Sequence, residues 1–200
     1  MSLLEFRKKS PRTSREFSTW LGMVVFLGIM TMWFGALFFS YAVLRADAVS
    51  WPPEGVPRLP LGMPGLNTGI LFLSSLTLAT GLRRLRTGRP ALFPRWLLAT
   101  LVLGIAFLAL QLHVWIDLWK AGLTFNPEVD VRGYVSVFYG LTVVHAIHIV
   151  AGLIALLVVA IPALRGQNLT ARYGTVRLAT MFWHFIGAVW VLMFVTVYVL

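Results

Sequence analysis

The sequence predicts an all-α membrane protein with five transmembrane helices, and three observations predict it. Hydrophobic residues make up 58% of the chain and charged residues only 12%, against about a quarter charged in a water-soluble domain. The apolar residues gather in five runs, each able to cross a hydrocarbon core of roughly 30 Å at about 1.5 Å per residue. The charges fall between those runs, where they act as topology signals instead of the nucleic-acid-binding surface that a net charge of +10 would otherwise suggest. Little chain remains for a soluble domain. Residues 1–16 read as a basic cytoplasmic tail and residues 17–200 as a single transmembrane domain. With no cysteine, disulfides, thiolate metal sites and thiol nucleophiles are excluded together.

The first run extends from Phe17 to Leu44. The basic segment before it has no small-residue cleavage site after a short apolar core, so the tail is expected to stay attached. Gly28, Thr31 and Gly35 share a face of this helix, a pattern suited to close helix approach. The stretch WPPEGVPRLPLGMPG that follows is rich in proline and glycine, and reads as an extended, turn-rich loop packed across the outer face. The second run, Leu66 to Leu82, is the shortest and most polar. It holds Asn67, Thr68, Ser74, Ser75, Thr77 and Thr80, so it is expected to be well covered by protein. The third runs from Trp96 to Trp119, with Gly104, Gln111 and Trp115 on one face and an i, i+4 pair, His113 and Asp117, on the opposite one. The fourth spans Tyr134 to Leu164 and the fifth Val176 to Leu200. Trp51, Trp115, Trp119, Tyr134 and Tyr198 fall near outer helix ends, where aromatic residues commonly anchor at the interface.

Loop charge gives the orientation. Arg7, Lys8, Lys9, Arg12 and Arg15 precede the first run; Arg83, Arg84, Arg86, Arg89 and Arg95 follow the second; Arg165, Arg172 and Arg177 follow the fourth. The other side has Arg45, Arg58, Lys120 and Arg132, with Asp47, Glu54, Asp117, Glu128 and Asp130. The basic side is cytoplasmic by the positive-inside rule. Five spans then place the N-terminus in the cytoplasm and the C-terminus in the periplasm, as in a multi-pass protein of a bacterial inner membrane.

The chemistry concentrates in three histidines. In FYGLTVVHAIHIVAGL, Thr142, His145, His148 and Gly152 fall in one sector of the helix, and His184 lies in FWHF on the fifth run. An imidazole facing hydrocarbon has no hydrogen-bond partner, so these faces should turn toward protein. As metal ligands the histidines lack an intramembrane carboxylate or cysteine to complete a site. As haem ligands, His145 and His184 sit at depths compatible with one b-type haem clamped between neighbouring helices. As packing groups they would hydrogen-bond between helices at about 0.6 to 2 kcal/mol each, which is the favoured reading. No phosphate loop, nucleophile–base arrangement or paired carboxylates occur, so no catalytic site belongs to the chain itself. A proton relay would need a chain of ionisable groups across the membrane, and the middle of the runs has no acid.

Six segments, in order, resemble subunit III of haem–copper cytochrome c or quinol oxidases, in a short form with five helices. They are GMVVFLGIMTMWFGALFFSYAVLR ending in Arg45, WPPEGVP, LNTGILFLSSLTL, LGIAFLALQLHVW, FYGLTVVHAIHIVAGLI and FWHFIGAVWVLMF. The resemblance covers about Trp20 to Leu200. It implies an accessory, non-redox subunit that packs on catalytic subunit I near subunit II, holds phospholipid between its helices, and supports proton uptake and sustained turnover in aerobic electron transport. Haem and copper would lie on those partner subunits. Arg45, Asn67, Gln111, Trp115, His145, His148, Trp183 and His184 are then structural or interface residues. The chain departs from the family in its intramembrane acids: Met30 and Val114 stand where glutamates are common, and Gly187 where an aspartate is frequent. This suggests a divergent branch. The alternatives are a b-haem membrane anchor that itself carries electrons, and an accessory protein of a nitric oxide reductase.

Overall fold

The structure is a computed structural model. It describes residues 14–53, 56, 59, 61–87, 90–124, 129–167 and 172–200, the side chains of 14, 15 and 129–131 excepted. Most of the basic tail and the loop charges Glu54, Arg58, Arg89 and Glu128 therefore lie outside the described residues.

Among the described residues, five helices long and apolar enough to cross a membrane follow one another: α1 (Ser14–Asp47), α2 (Gly62–Arg86), α3 (Phe93–Lys120), α4 (Val129–Leu164) and α5 (Tyr173–Met193). A single 3-10 turn, Pro90–Leu92, leads into α3, and α5 continues as a π-helical segment, Phe194–Val199. The helices overrun the apolar runs by a few residues at most ends, because a span continues into the polar interface. Two ends are set by glycine. Gly122 and Gly166 take positive φ values of 97° and 69°. Each is followed by a residue whose N–H reaches back to the helix, Leu123 to the Leu118 carbonyl at 3.0 Å and Gln167 to the Pro162 carbonyl at 3.1 Å. This left-handed termination satisfies the last carbonyls and is open to glycine at little steric cost.

Helices α2, α3, α4 and α5 close into a four-helix ring, with α2 against α3, α3 against α4, α4 against α5 and α5 back against α2. Helix α1 leans on the outside of that ring, across α4 and α5. Helix α4 carries apolar residues on every side, interrupted by the Thr142, His145 and His148 stripe, as suits a helix with neighbours in α1, α3 and α5. The core runs the length of the ring, from Leu85, Phe93 and Leu97 at one end, through Phe107, Trp183 and Trp190, to Phe138, Tyr134 and Tyr198 at the other.

Three expectations are corrected here. Among the described residues the glycine face of α1 meets nothing: an added Cβ at Gly28 or Gly35 would have no described atom within 4 Å, and Thr31 bonds the Leu27 carbonyl of its own helix. Among the described side chains of α1, only Phe34 and Tyr41 are buried. Helix α2 is not well covered either. Its polar face, with Asn67 and Ser74 both fully buried, turns into the ring, while Phe72, Leu73 and Leu76 stay exposed. The ring covers the polar atoms and leaves the apolar ones to lipid. Finally, Tyr134 and Tyr198 are buried, not splayed as interfacial anchors. Trp51 donates its indole N–H to the Tyr41 hydroxyl at 3.1 Å and packs edge-on against Tyr134 at 5.0 Å. Phe138 in turn meets Tyr134 and Tyr198. These rings tie the first loop to α1, α4 and α5 because a phenol or indole covers apolar area while offering one polar handle. Trp119 does remain half exposed.

Candidate functional site

The centre of the ring is built on Trp183 of α5, whose side chain is fully buried. Its indole lies against two glycines. A Cβ placed on Gly104 of α3 would come within 2.7 Å of the ring, and one on Gly152 of α4 within 3.0 Å. The indole N–H donates to Ser74 Oγ of α2 at 3.1 Å. One side chain thus joins all four helices of the ring. The glycines at 104 and 152 are the small residues that let it in. One helical heptad further, Trp190 repeats the motif: it is fully buried, stands edge-on to Phe107 at 4.8 Å, and donates to Thr68 Oγ1 at 3.0 Å. Thr77 and Thr100 add a hydroxyl contact of 2.9 Å between α2 and α3.

Next to Trp190 lies His145. Its imidazole is completely buried and is surrounded by the rings of Phe34 at 6.4 Å, Phe107 at 6.1 Å and Trp190 at 5.3 Å. Neither ring nitrogen has a hydrogen-bond partner among the described residues. The expectation that His145 bridges helices by hydrogen bonds is therefore corrected: aromatic edges and faces, not polar atoms, surround it. His148, one turn on, faces α1. Its Nδ1 lies 2.7 Å from the Val144 carbonyl of its own helix, so Nδ1 carries the proton. Its Nε2 lies 3.1 Å from Met30 Sδ, and Phe34 packs at 5.2 Å. The two histidines share a sector but serve different neighbours. Thr142, on the same stripe, bonds the Phe138 carbonyl within α4.

Asn67 and Gln111 are brought together as a buried amide pair between α2 and α3. Asn67 Nδ2 donates to Gln111 Oε1 at 3.3 Å and to the Phe107 carbonyl at 3.2 Å. Trp115 follows Gln111 by one turn and is half buried, with its indole nitrogen enclosed and unpaired among the described residues. Arg45 ends α1 and bonds the backbone carbonyl of Leu200, clamping α1 to the far end of α5. His113 and Asp117 form an exposed pair at 3.4 Å on the outer side of α3, as their spacing indicates.

His184 stands apart. It does not approach the aromatic surroundings of His145; instead it lines a groove between α2 and α5 with Thr68, Ser75 and Gly187. The pair does not fit a haem, because three rings of the chain already occupy the surroundings of His145 while His184 opens onto the groove. Among the described residues no three His, Asp or Glu side chains gather as metal ligands. The sequence reading missed Ser74, Thr68, Phe107 and Trp190. The available signal was the seven-residue spacing of Trp183 and Trp190 on one helix face, opposite a hydroxyl-bearing face of α2. It also missed that Met30 and His148 touch, since residues so far apart in sequence give no sign of contact.

Comparison with known proteins matches this architecture to one family. The model of the family described as "Cytochrome c oxidase subunit III" matches residues 15–200. The chain is 35% identical to cytochrome c oxidase subunit 3 of Synechocystis sp., covering 90% of this chain and 74% of that one. It is 31% identical to the same subunit of Thermostichus vulcanus, over 90% of this chain and 86% of the other. It is also 30% identical to cytochrome bo(3) ubiquinol oxidase subunit 3 of Pseudomonas putida, over 91% of this chain and 86% of that one. With its five helices and its tryptophan-centred ring, the chain belongs to the cytochrome c oxidase subunit III family.

Proposed function

We propose that this chain is the accessory, non-redox subunit III of a respiratory haem–copper oxidase in a bacterial inner membrane. In this reading it packs on catalytic subunit I, near subunit II, with phospholipid filling the spaces beside its helices. It stabilises the catalytic subunit and sustains proton uptake during turnover. The observation that carries the reading is the family match across residues 15–200. The packing is in keeping with it: the polar side chains inside the ring, Asn67, Gln111, Ser74 and Thr68, are spent on holding helices together. Haem and copper then belong to the partner subunits. The orientation proposed from the loop charges puts Arg83, Arg84, Arg86, Arg95, Arg165 and Arg172 on the cytoplasmic side.

The test compares the complete oxidase with the complex stripped of this chain. The stripped complex should keep its initial electron-transfer rate and lose activity sooner during turnover. The chain expressed alone in a haem-replete membrane should be colourless. A stoichiometric b-haem on the isolated chain, abolished by His184→Ala, would establish the electron-carrying anchor instead.

A further inference from the structure

We infer that the groove between α2 and α5 is the seat of a transmembrane helix from a partner subunit, hydrogen-bonded to His184. The inference rests on the accessory-subunit reading and names the face on which the partner sits. The groove encloses about 220 Å³. Phe72 and Ser75 of α2 form one wall, and His184, Gly187 and Ala188 of α5 form the other, each helix contributing neighbours three and four residues apart. Gly187 keeps the floor open: a Cβ there would already stand 3.4 Å from Ser75 Oγ.

Depth and chemistry choose the occupant. His184 lies roughly 16 Å along α5 at 1.5 Å per residue, near the middle of a hydrocarbon core of about 30 Å. Neither His184 nor Ser75 has a hydrogen-bond partner among the described residues. Thr68, at the end of the groove, is already engaged with Trp190 and with the Pro64 carbonyl. Lipid at that depth is hydrocarbon and offers an imidazole or a hydroxyl nothing to bond, and an unpaired polar group there costs several kcal/mol by general transfer arithmetic. Headgroups lie too far away. A helix of small side chains fits a groove floored by glycine, and it brings the missing group with it, a hydroxyl or a side-chain amide at mid-depth. Asn67, Ser74, Thr100 and Gln111 are turned into the ring, whereas this histidine opens onto the outside of α2 and α5.

The test places the photo-crosslinking residue p-benzoylphenylalanine at position 72 or 188 of the chain within the complete oxidase, irradiates the membranes, and identifies adducts by mass spectrometry of the purified complex. An adduct mapped to the middle of a transmembrane helix of another subunit is the result expected. Adducts to lipid alone, or none, with the chain still bound in the complex, would overturn the inference while leaving the accessory reading intact. Absence of the chain from any purified oxidase would overturn both. A second readout is retention of the chain through detergent washing. His184→Leu should speed its loss about tenfold, the factor given by one interhelical hydrogen bond, and His184→Gln should restore retention. Equal retention of all three forms would also overturn the inference, because a histidine that merely fills space is replaced by leucine without such loss.

Discussion

Gly104→Ala tests the tryptophan-centred ring most directly. The new methyl group would lie 2.7 Å from Trp183 Cη2 and 2.8 Å from Leu153 Cδ2, about 0.8 Å inside the carbon–carbon optimum of ~3.5 Å. Leu153 can yield, since its Cδ2 is the end of a flexible side chain. Trp183 cannot: its indole is held by Ser74 on α2 and also lies against Gly152 of α4. Overpacking of this kind costs about 1–3 kcal/mol, and the pinned ring puts it near the upper end. Exchanging glycine for alanine within a helix returns about 1 kcal/mol, so the net loss should be about 2 kcal/mol. Trp183→Phe removes the two indole atoms that crowd position 104 together with the bond to Ser74, and is destabilising by itself. In that background Gly104→Ala should cost almost nothing. A double-mutant cycle on SDS-induced unfolding of the chain in mixed micelles measures the coupling, expected at about 1–2 kcal/mol. Additive effects, within about 0.5 kcal/mol, would refute the idea that Gly104 exists to admit Trp183.

Three further outcomes follow from the same packing. His145→Phe should be neutral or stabilising in thermal unfolding of the complex, because neither imidazole nitrogen has a partner to lose and a ring of similar shape is retained; a large loss would mean that a partner for His145 had been missed. Asn67→Leu should destabilise by about 1–3 kcal/mol by leaving Gln111 Oε1 without its donor, and Asn67→Leu with Gln111→Leu should recover part of that loss in the same SDS titration. Met30→Glu should be accepted, since a protonated carboxyl there can donate to His148 Nε2, now 3.1 Å from the thioether. It should also create a mid-membrane site for an apolar carbodiimide where the native chain has none; the companion His148→Leu should abolish assembly of the Met30→Glu chain, and survival of the double variant would show that His148 is not the partner.

Composition and periodicity determined the number of helices, their order and most of their extents, because a membrane span is written in a continuous apolar run that needs no tertiary context. Gly104 stood out as a small residue on the Gln111 and Trp115 face, but what it admits, the Trp183 ring, did not. What the sequence could not decide is which side of each helix meets which neighbour. In lipid an apolar side chain is as well placed outside as inside, so hydrophobicity carries no information about facing. Gly28 and Gly35 therefore read like a packing face and prove to face away from the described residues, while Tyr134 and Tyr198 read like interfacial anchors and prove to be core. The same limit applies to the histidines. Only the tertiary structure set His145 among aromatic rings, His148 against Met30, and His184 at the edge of an open groove, because those neighbours come from helices distant in sequence and the contact is fixed by how the ring closes.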